Sequence, residues 1–389
     1  MSGRAVALVL AASSFAAGAA AAGEPVRVGL FGLLAPKELT LSATAGEVRL
    51  TPAGGAGRVS MRLSGQGLHV RAVGGSRLAV WGETAGRRLA ERLTLARRRL
   101  EAAVAGAPAR EVDGALTVSA AGGVLRVVLE LPAPALAVES ALVEREPGAG
   151  GEAVKAQVVA CLSFVLAGRG RHAADGFDLC DTTHCQRFAG IVQSASARER
   201  AAAAAVAGLY LELGGRPLPA FYTAECGGKL ERPSDLWGPV PAIFRSRPDP
   251  GCVRHDWTVV IARRDWQRAL ERAAGRRLDV PGPAAFEVKR SSEGSGGLVS
   301  AFAGSAGGRS VEAPFEAMAR EVRAVTGRWA IRSRRLALFE EAGHVRLTGS
   351  GRGHLAGMCQ AGAARLAAQG RGFREILAFY YPGAGLRHA

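Results

Sequence analysis

An α+β fold, with a β-rich N-terminal region followed by a mixed α/β domain of catalytic type, follows from three features of the sequence. Residues 26–132 carry short segments in which apolar and polar residues alternate, separated by glycine-rich turns. From Glu152 onward the apolar spacing changes to that of helices. No internal repeat is present. Period-two alternation places side chains on opposite faces of a strand, whereas a period near 3.6 builds one helical face.

In chain order, Val26–Leu30, Leu39–Leu41, Val48–Leu50 and Leu125–Leu129 read as strands. One stretch, about Thr84 to Val104, reads as a helix that interrupts them. Breaks at Pro132–Pro134 and Gly148–Gly151 bracket a short glutamate-rich segment. Val154, Val158, Cys161 and Val165 share one helical face with Val159, Leu162 and Leu166 beside it, the pattern of a buried helix. A polar loop follows, then a helix near Ala197–Ala207, a strand at Leu209–Leu213, helices at Asp265–Arg276 and Glu312–Thr326, a glycine-rich loop and a last helix at about Met358–Gln369. The expected divisions are 1–22, a signal peptide; 23–132, the β-rich region; and 133–389.

The signal peptide is read from Arg4, the apolar run Ala5–Leu10 and the small residues Ala19–Ala22 before Gly23. Cleavage near Ala22 leaves no later apolar run of about 18 residues, so no membrane span is expected in the mature chain. Export places the protein in the periplasm or on the cell-wall face. The formal net charge of +16 is compatible with a polyanionic partner, or with solvated arginine faces in an arginine-rich chain. No aromatic-interleaved basic stripe, zinc-finger repeat or helix-turn-helix pattern appears, so nucleic acid is not an expected partner.

Six cysteines in an exported chain raise disulfides first. His172, Cys180, His184 and Cys185 lie in one loop, a composition that suits a closed structural zinc site; a Cys180–Cys185 disulfide with two incidental histidines is the alternative. Cys226 and Cys252 flank a segment containing Trp237 and are the expected disulfide pair. Cys161 and Cys359 sit in apolar helical patterns and read as small core residues.

Several segments, in order, resemble the stage II sporulation protein D family, also called SpoIID/LytB. They are Val138–Pro147 followed by Glu152-Ala-Val-Lys155-Ala-Gln157, the Asp-Leu-Cys-Asp-Thr-Thr-His-Cys-Gln core of the cysteine–histidine loop, Phe221–Gly228 with its Cys-Gly-Gly, Arg245–Pro250, and Gly353-His354-Leu-Ala-Gly357-Met358-Cys359-Gln360. Ala160–Phe164 stands where the family reads Ala-Ala-Arg-Thr-Tyr, so the arginine is missing, and Cys359 replaces a serine.

The resemblance implies a peptidoglycan lytic transglycosylase acting on glycan strands, with Glu146 as general acid and then base. Glu144 is the rival, because the spacing to Glu152 is short. Lys155, Gln157, Tyr222, His354 and Gln360 are the implied substrate-binding residues, and structural Zn²⁺ the implied cofactor. Such a glutamate needs an apolar surround or a like-charged neighbour to hold its proton, and Leu142, Val143 and Pro147 would supply the first. Read alone, Glu146 is a solvated carboxylate in a loop with Glu139 and Glu144, and His354 and Gln360 equally serve as supports of a glycine turn. The other reading is a non-catalytic glycan-binding enhancer of a cell-wall amidase.

Overall fold

The computed structural model describes residues 24–43, 45–52, 59–64, 67–82, 86–278, 284–291 and 297–389. The expected signal peptide lies outside them. The α+β class holds. The described chain divides into two compact units that do not follow chain order. One comprises 24–145, 154–220 and 384–389; the other comprises Glu146–Ala153 and Phe221–Gly383. Among the described residues no helix is long and apolar enough to cross a membrane.

The first unit is built on a ten-stranded sheet. Its strands are β1 (Pro25–Leu30), β2 (Glu38–Ser42), β3 (Ala45–Pro52), β4 (Val59–Ser64), β5 (Leu68–Val73), β6 (Arg77–Trp81), β7 (Arg88–Ala103), β8 (Arg110–Ala121), β9 (Val124–Pro132) and, after two helices, β10 (Leu179–Cys180). β7 pairs with β8, β3, β2 and β6, so β7, β2, β5 and β6 close a circuit.

The expected helix over Thr84–Val104 is therefore wrong where it is described: Arg88–Ala103 is a long strand. Leu93 and Leu95 alternate on the buried face, and Leu100 and Ala102 do so again after a register shift between Leu95 and Arg98. The extra residues of such a bulge slip the phase. Read across it, Leu93, Leu100 and Val104 mimic helical spacing, and the Ala, Arg, Leu and Glu content favours a helix. Tertiary pairing overrides both signals.

The glutamate-rich segment is a helix, α1 (Ala133–Glu144), which packs on β9 and on α3 (Ala197–Ala204). α2 (Gly151–Ala167) is enclosed along most of its length, with Val154, Val158, Cys161, Leu162 and Val165 at 1 % exposure or less. α3 begins with a capping box between Ser196 and Glu199. β11 (Leu209–Leu213) pairs with β12 (Arg216–Pro217) and with a closing strand, Gly385–His388.

The second unit contains the short parallel pair β13 (Tyr222–Thr223) and Met358–Cys359, and the antiparallel pair β14 (Lys229–Leu230) and β15 (Arg247–Pro248), with α4 (Ser234–Trp237) between the latter two. Between them and the glycine-rich loop lies a module with its own core. It comprises β16 (Asp256–Ala262), α5 (Arg263–Ala274), β17 (Ala285–Arg290), β18 (Val299–Ala306), β19 (Arg309–Pro314), α6 (Phe315–Thr326), β20 (Leu336–Glu341) and β21 (His344–Ser350). Trp257, Trp266, Leu270, Phe286, Phe302, Phe315, Met318, Val322 and Leu347 fill that core. Its first and last strands are cross-strand partners, from Asp256↔Ser350 to Ala262↔His344. The chain then passes through β22 (Met358–Cys359) into α7 (Gln360–Ala368) and α8 (Phe373–Tyr380).

Candidate functional site

Glu146 sits one residue beyond the last turn of α1's C-cap, Arg145. Arg145 is tied down by Glu199 and by the Leu142 carbonyl, which fixes the chain as it leaves the helix. Glu146, Pro147, Gly148 and Ala149 then form a tight turn: the Ala149 amide donates to the Glu146 carbonyl at 3.0 Å, and Gly148 has φ +75°. Proline and glycine at the two central positions are what such a turn requires. The Glu146 carboxylate is 29 % exposed and pairs at 3.0 Å with the guanidinium of Arg352, which is 52 % exposed. The sequence reading expected apolar residues around Glu146 and missed this cation. It also placed Glu139 in the same solvated loop. Glu139 instead lies on α1, accepting from the Val192 amide at 2.8 Å and the Arg200 guanidinium at 3.1 Å. Glu144 is the last residue of α1 and is half-buried.

Arg352 opens the glycine-rich loop. Its backbone is locked to Glu225 by reciprocal amide–carbonyl bonds of 2.8 and 3.0 Å. Gly351, Gly353, Leu355 and Gly357 all have positive φ, so every second residue of the loop is left-handed. A Cβ on Gly357 would lie 1.9 Å from the Phe221 carbonyl oxygen, so only glycine fits there. Leu355 carries the strain of that conformation, of order 1–3 kcal/mol. Its amide donates to Thr223 Oγ1 at 3.0 Å and its carbonyl accepts from the Glu231 amide at 2.8 Å.

His354 is gripped within this loop. The Ala356 amide donates to its Nδ1 at 3.2 Å, and Trp237 meets the ring edge-on with centroids 4.7 Å apart. Burial drives its pKa down to about 4, so the ring is neutral at physiological pH. Trp237 also stacks on Phe221 at 4.9 Å. Tyr222 is half-buried in β13, opposite Met358, and Gln360 is buried at the start of α7. The second unit thus contains Glu146, Tyr222, His354 and Gln360.

Lys155 and Gln157 belong to the first unit. Gln157 is 3 % exposed and its side-chain amide donates to Cys161 Sγ at 3.4 Å. Leu162, at the position where the family pattern has arginine, is fully buried. Glu152 accepts from the Phe373 amide at 2.8 Å, satisfying the first turn of α8. Sequence reasoning missed a further buried pair: Glu231 is 1 % exposed and meets Arg335 at 2.6 Å, while Arg335 also donates to the carbonyls of Cys226 and Lys229.

In the first unit, His172, Cys180, His184 and Cys185 converge, with all four ligand atoms within 4.8 Å of one another. Cys180 is placed by the parallel pairing of β10 with β1, and the carboxylates on either side of it anchor the loop. Asp178 accepts from the Arg27 amide at 2.9 Å and from its guanidinium; Asp181 accepts from the Phe31 amide at 2.7 Å and pairs with Arg110. Burial opposes ionisation of Asp178, but the Arg27 contacts outweigh it and hold that carboxyl below its ordinary range.

The donor set fits a tetrahedral zinc ion. Zinc–sulfur bonds of about 2.3 Å and zinc–nitrogen bonds of about 2.0–2.1 Å imply sulfur–nitrogen edges of roughly 3.6 Å. The edges here are 3.4 Å for Cys185–His172 and 3.7 Å from each sulfur to His184. Asp175 meets His172 Nδ1 at 3.1 Å, which turns Nε2 toward the sulfurs. Cys180 is pushed down in pKa, by the Cys185 thiol first and then by the imidazoles, whereas Cys185 is pushed up beside it.

A second sulfur-rich cluster was not foreseen. Cys226 and Cys252, the expected disulfide pair, carry no S–S bond in the structure, and Cys359 lies with them, all three sulfurs within 4.8 Å of one another.

No curated protein matches the chain. Residues 140–211 match the family model described as stage II sporulation protein, SpoIID. That span contains Glu146, α2 and the whole cysteine–histidine loop, and over it the chain is similar to the SpoIID family.

Proposed function

We propose that the protein cleaves peptidoglycan glycan strands by lytic transglycosylation, with Glu146 as the acid and then the base. Similarity to the family is consistent with a cell-wall-related role. The observation that carries the finer reading is the placement of Glu146: a partly exposed carboxylate on a rigid turn, paired with a side chain of the glycine-rich loop that also holds His354.

In the proposed reaction the protonated Glu146 carboxyl donates its proton to the glycosidic oxygen as the bond to C1 of the muramic sugar breaks. The carboxylate left behind takes the proton of that sugar's C6 hydroxyl, whose oxygen closes onto C1. The products are a 1,6-anhydro end and a free 4-hydroxyl, without water or a second carboxylate. A strand entering the site displaces Arg352 from its 3.0 Å contact with Glu146 and leaves the carboxyl open to the glycosidic oxygen. The left-handed backbone around His354 offers a close approach to sugar hydroxyls. A structural zinc ion held by His172, Cys180, His184 and Cys185 would cross-link its own loop and take no part in the proton transfers. Export to the periplasm or wall face is part of this reading.

The second reading is a glycan-binding enhancer of a cell-wall amidase. Buried Leu162 in place of the family's arginine and buried Gln157 favour it, because neither presents a polar group to a ligand. Mass spectrometry of purified glycan strands, stripped of peptide stems and incubated with the protein, separates the two. Anhydro ends support cleavage. Strand binding with no such ends removes it and leaves the enhancer.

A further inference from the structure

We propose that Cys226, Cys252 and Cys359 form a buried three-thiolate site for a soft d¹⁰ metal ion, copper(I) or zinc. The proposal stands independently of the catalytic reading and of the zinc loop.

Three sulfurs from distant parts of the chain meet within 4.8 Å of one another. Cys226 follows β13, Cys252 follows β15, and Cys359 ends β22 as the N-cap of α7. Metal–sulfur bonds of about 2.3 Å put sulfur–sulfur edges at roughly 3.8–4.0 Å, a distance this cluster admits. Cys226 and Cys359 are 0 % exposed and Cys252 is 7 % exposed, so the group is enclosed.

Backbone donors converge on one of the three sulfurs. Cys359 Sγ accepts from the Cys226 and Gly362 amides, each at 3.3 Å. Gly227 and Gly228, with φ values of +66° and +86°, turn the chain directly after Cys226, and Cys252 Sγ donates to the Val253 carbonyl at 3.6 Å. A disulfide sulfur is a poor acceptor and has no use for such donors, and a nucleophile would need access. A metal thiolate uses both the donors and the enclosure. Asp249, 2 % exposed, meets Cys226 Sγ at 3.3 Å and is itself held by the Tyr380 hydroxyl at 3.0 Å and the Gly251 amide at 3.0 Å. In this contact the Cys226 thiol donates to the carboxylate, so metal binding at Cys226 exchanges that hydrogen bond for a metal–sulfur bond. Soft thiolate donors select copper(I) and zinc over hard cations. Binding releases the thiol protons and forms three metal–sulfur bonds, with no change of oxidation state.

The test is elemental analysis for copper and zinc in exported, full-length protein purified without chelator or added metal. Cys359→Ser and Cys185→Ser are measured beside wild type. The expected result is that Cys359→Ser lacks one metal equivalent that wild type holds, whatever the zinc loop contains. X-ray absorption of the metal kept by Cys185→Ser covers the case in which Cys359→Ser fails to fold, and a sulfur-only shell is expected there. Equal metal content in wild type and Cys359→Ser would overturn the proposal. So would a Cys226–Cys252 cross-link in a non-reducing peptide map, or a mixed nitrogen–sulfur shell in Cys185→Ser.

Discussion

Glu146→Gln separates the catalytic from the structural role of this residue, because the two carry different magnitudes. The Glu146–Arg352 pair joins groups that are 29 % and 52 % exposed. Ion pairs this open to solvent contribute about 0.2–1 kcal/mol. Glutamine keeps an oxygen for Arg352, and the turn is closed by the backbone carbonyl of residue 146, which the substitution leaves in place. The expected loss of stability is therefore below about 1 kcal/mol. The loss of activity is of another size. General acid–base catalysis contributes about 10²–10⁴-fold, which corresponds to roughly 3–5 kcal/mol of barrier. The assay counts anhydro ends formed on denuded strands over time, with denaturant unfolding and strand co-sedimentation measured on the same preparations. Near wild-type stability and binding with cleavage down at least a hundredfold is the expected outcome. Cleavage within tenfold of wild type would show that Glu146 is not the acid. Glu144→Gln is the matched control: if it alone abolishes cleavage, the reaction stands but its carboxyl is the one at the end of α1.

Three further outcomes are expected. Cys185→Ser removes the zinc bound by the loop, measured by elemental analysis, and zinc-free wild type carrying a Cys180–Cys185 cross-link would refute that site. Gly357→Ala forces a left-handed backbone, costing about 1–3 kcal/mol by itself, and its Cβ meets the Phe221 carbonyl at 1.9 Å besides. An unchanged denaturant midpoint would contradict it. His354 is depressed from 6.5 to about 4 by burial, so the unfolded chain takes up its proton first. The stability this provides is complete above about pH 6.5 and is lost as pH falls toward about 4, and His354→Gln should flatten that decline. An identical slope in the variant would rule out His354 as the source.

What could be read from the sequence was what lies close together in it. The four cysteine and histidine side chains that converge fall between residues 172 and 185, and strands such as β1, β9 and β11 alternate without interruption, so local pattern was enough to place them. β7 was misread because its bulge shifts the phase of the alternation in the middle of a helix-like composition. Arg352 meets Glu146 from 206 residues away in sequence, and Cys359 joins Cys226 only through the pairing of β22 with β13. No spacing rule links such positions. Leu355 shows a different limit: nothing about a leucine announces a left-handed backbone, which here is imposed by the glycines on either side and by Thr223.

The module between Asp256 and Ser350 looks removable, since its ends are cross-strand partners and a short hairpin could join them in their present positions. Arg335 forbids a simple excision. It lies inside the module yet supplies a cation nearer than Lys229 to Glu231, a residue whose carboxylate is 1 % exposed and whose own amide is bonded to the left-handed Leu355. Deleting the module would remove the guanidinium 2.6 Å from that carboxylate and leave Lys229 Nζ, 3.8 Å away, as a cation beside it, so the loss stays below the ~3–5 kcal/mol of a buried pair broken outright. A minimised protein must therefore keep Arg335 on a grafted strand, or replace Glu231 by glutamine in the same design. Relatives with shorter chains can be screened for the same rule: where the module is missing, the buried carboxylate should be missing too.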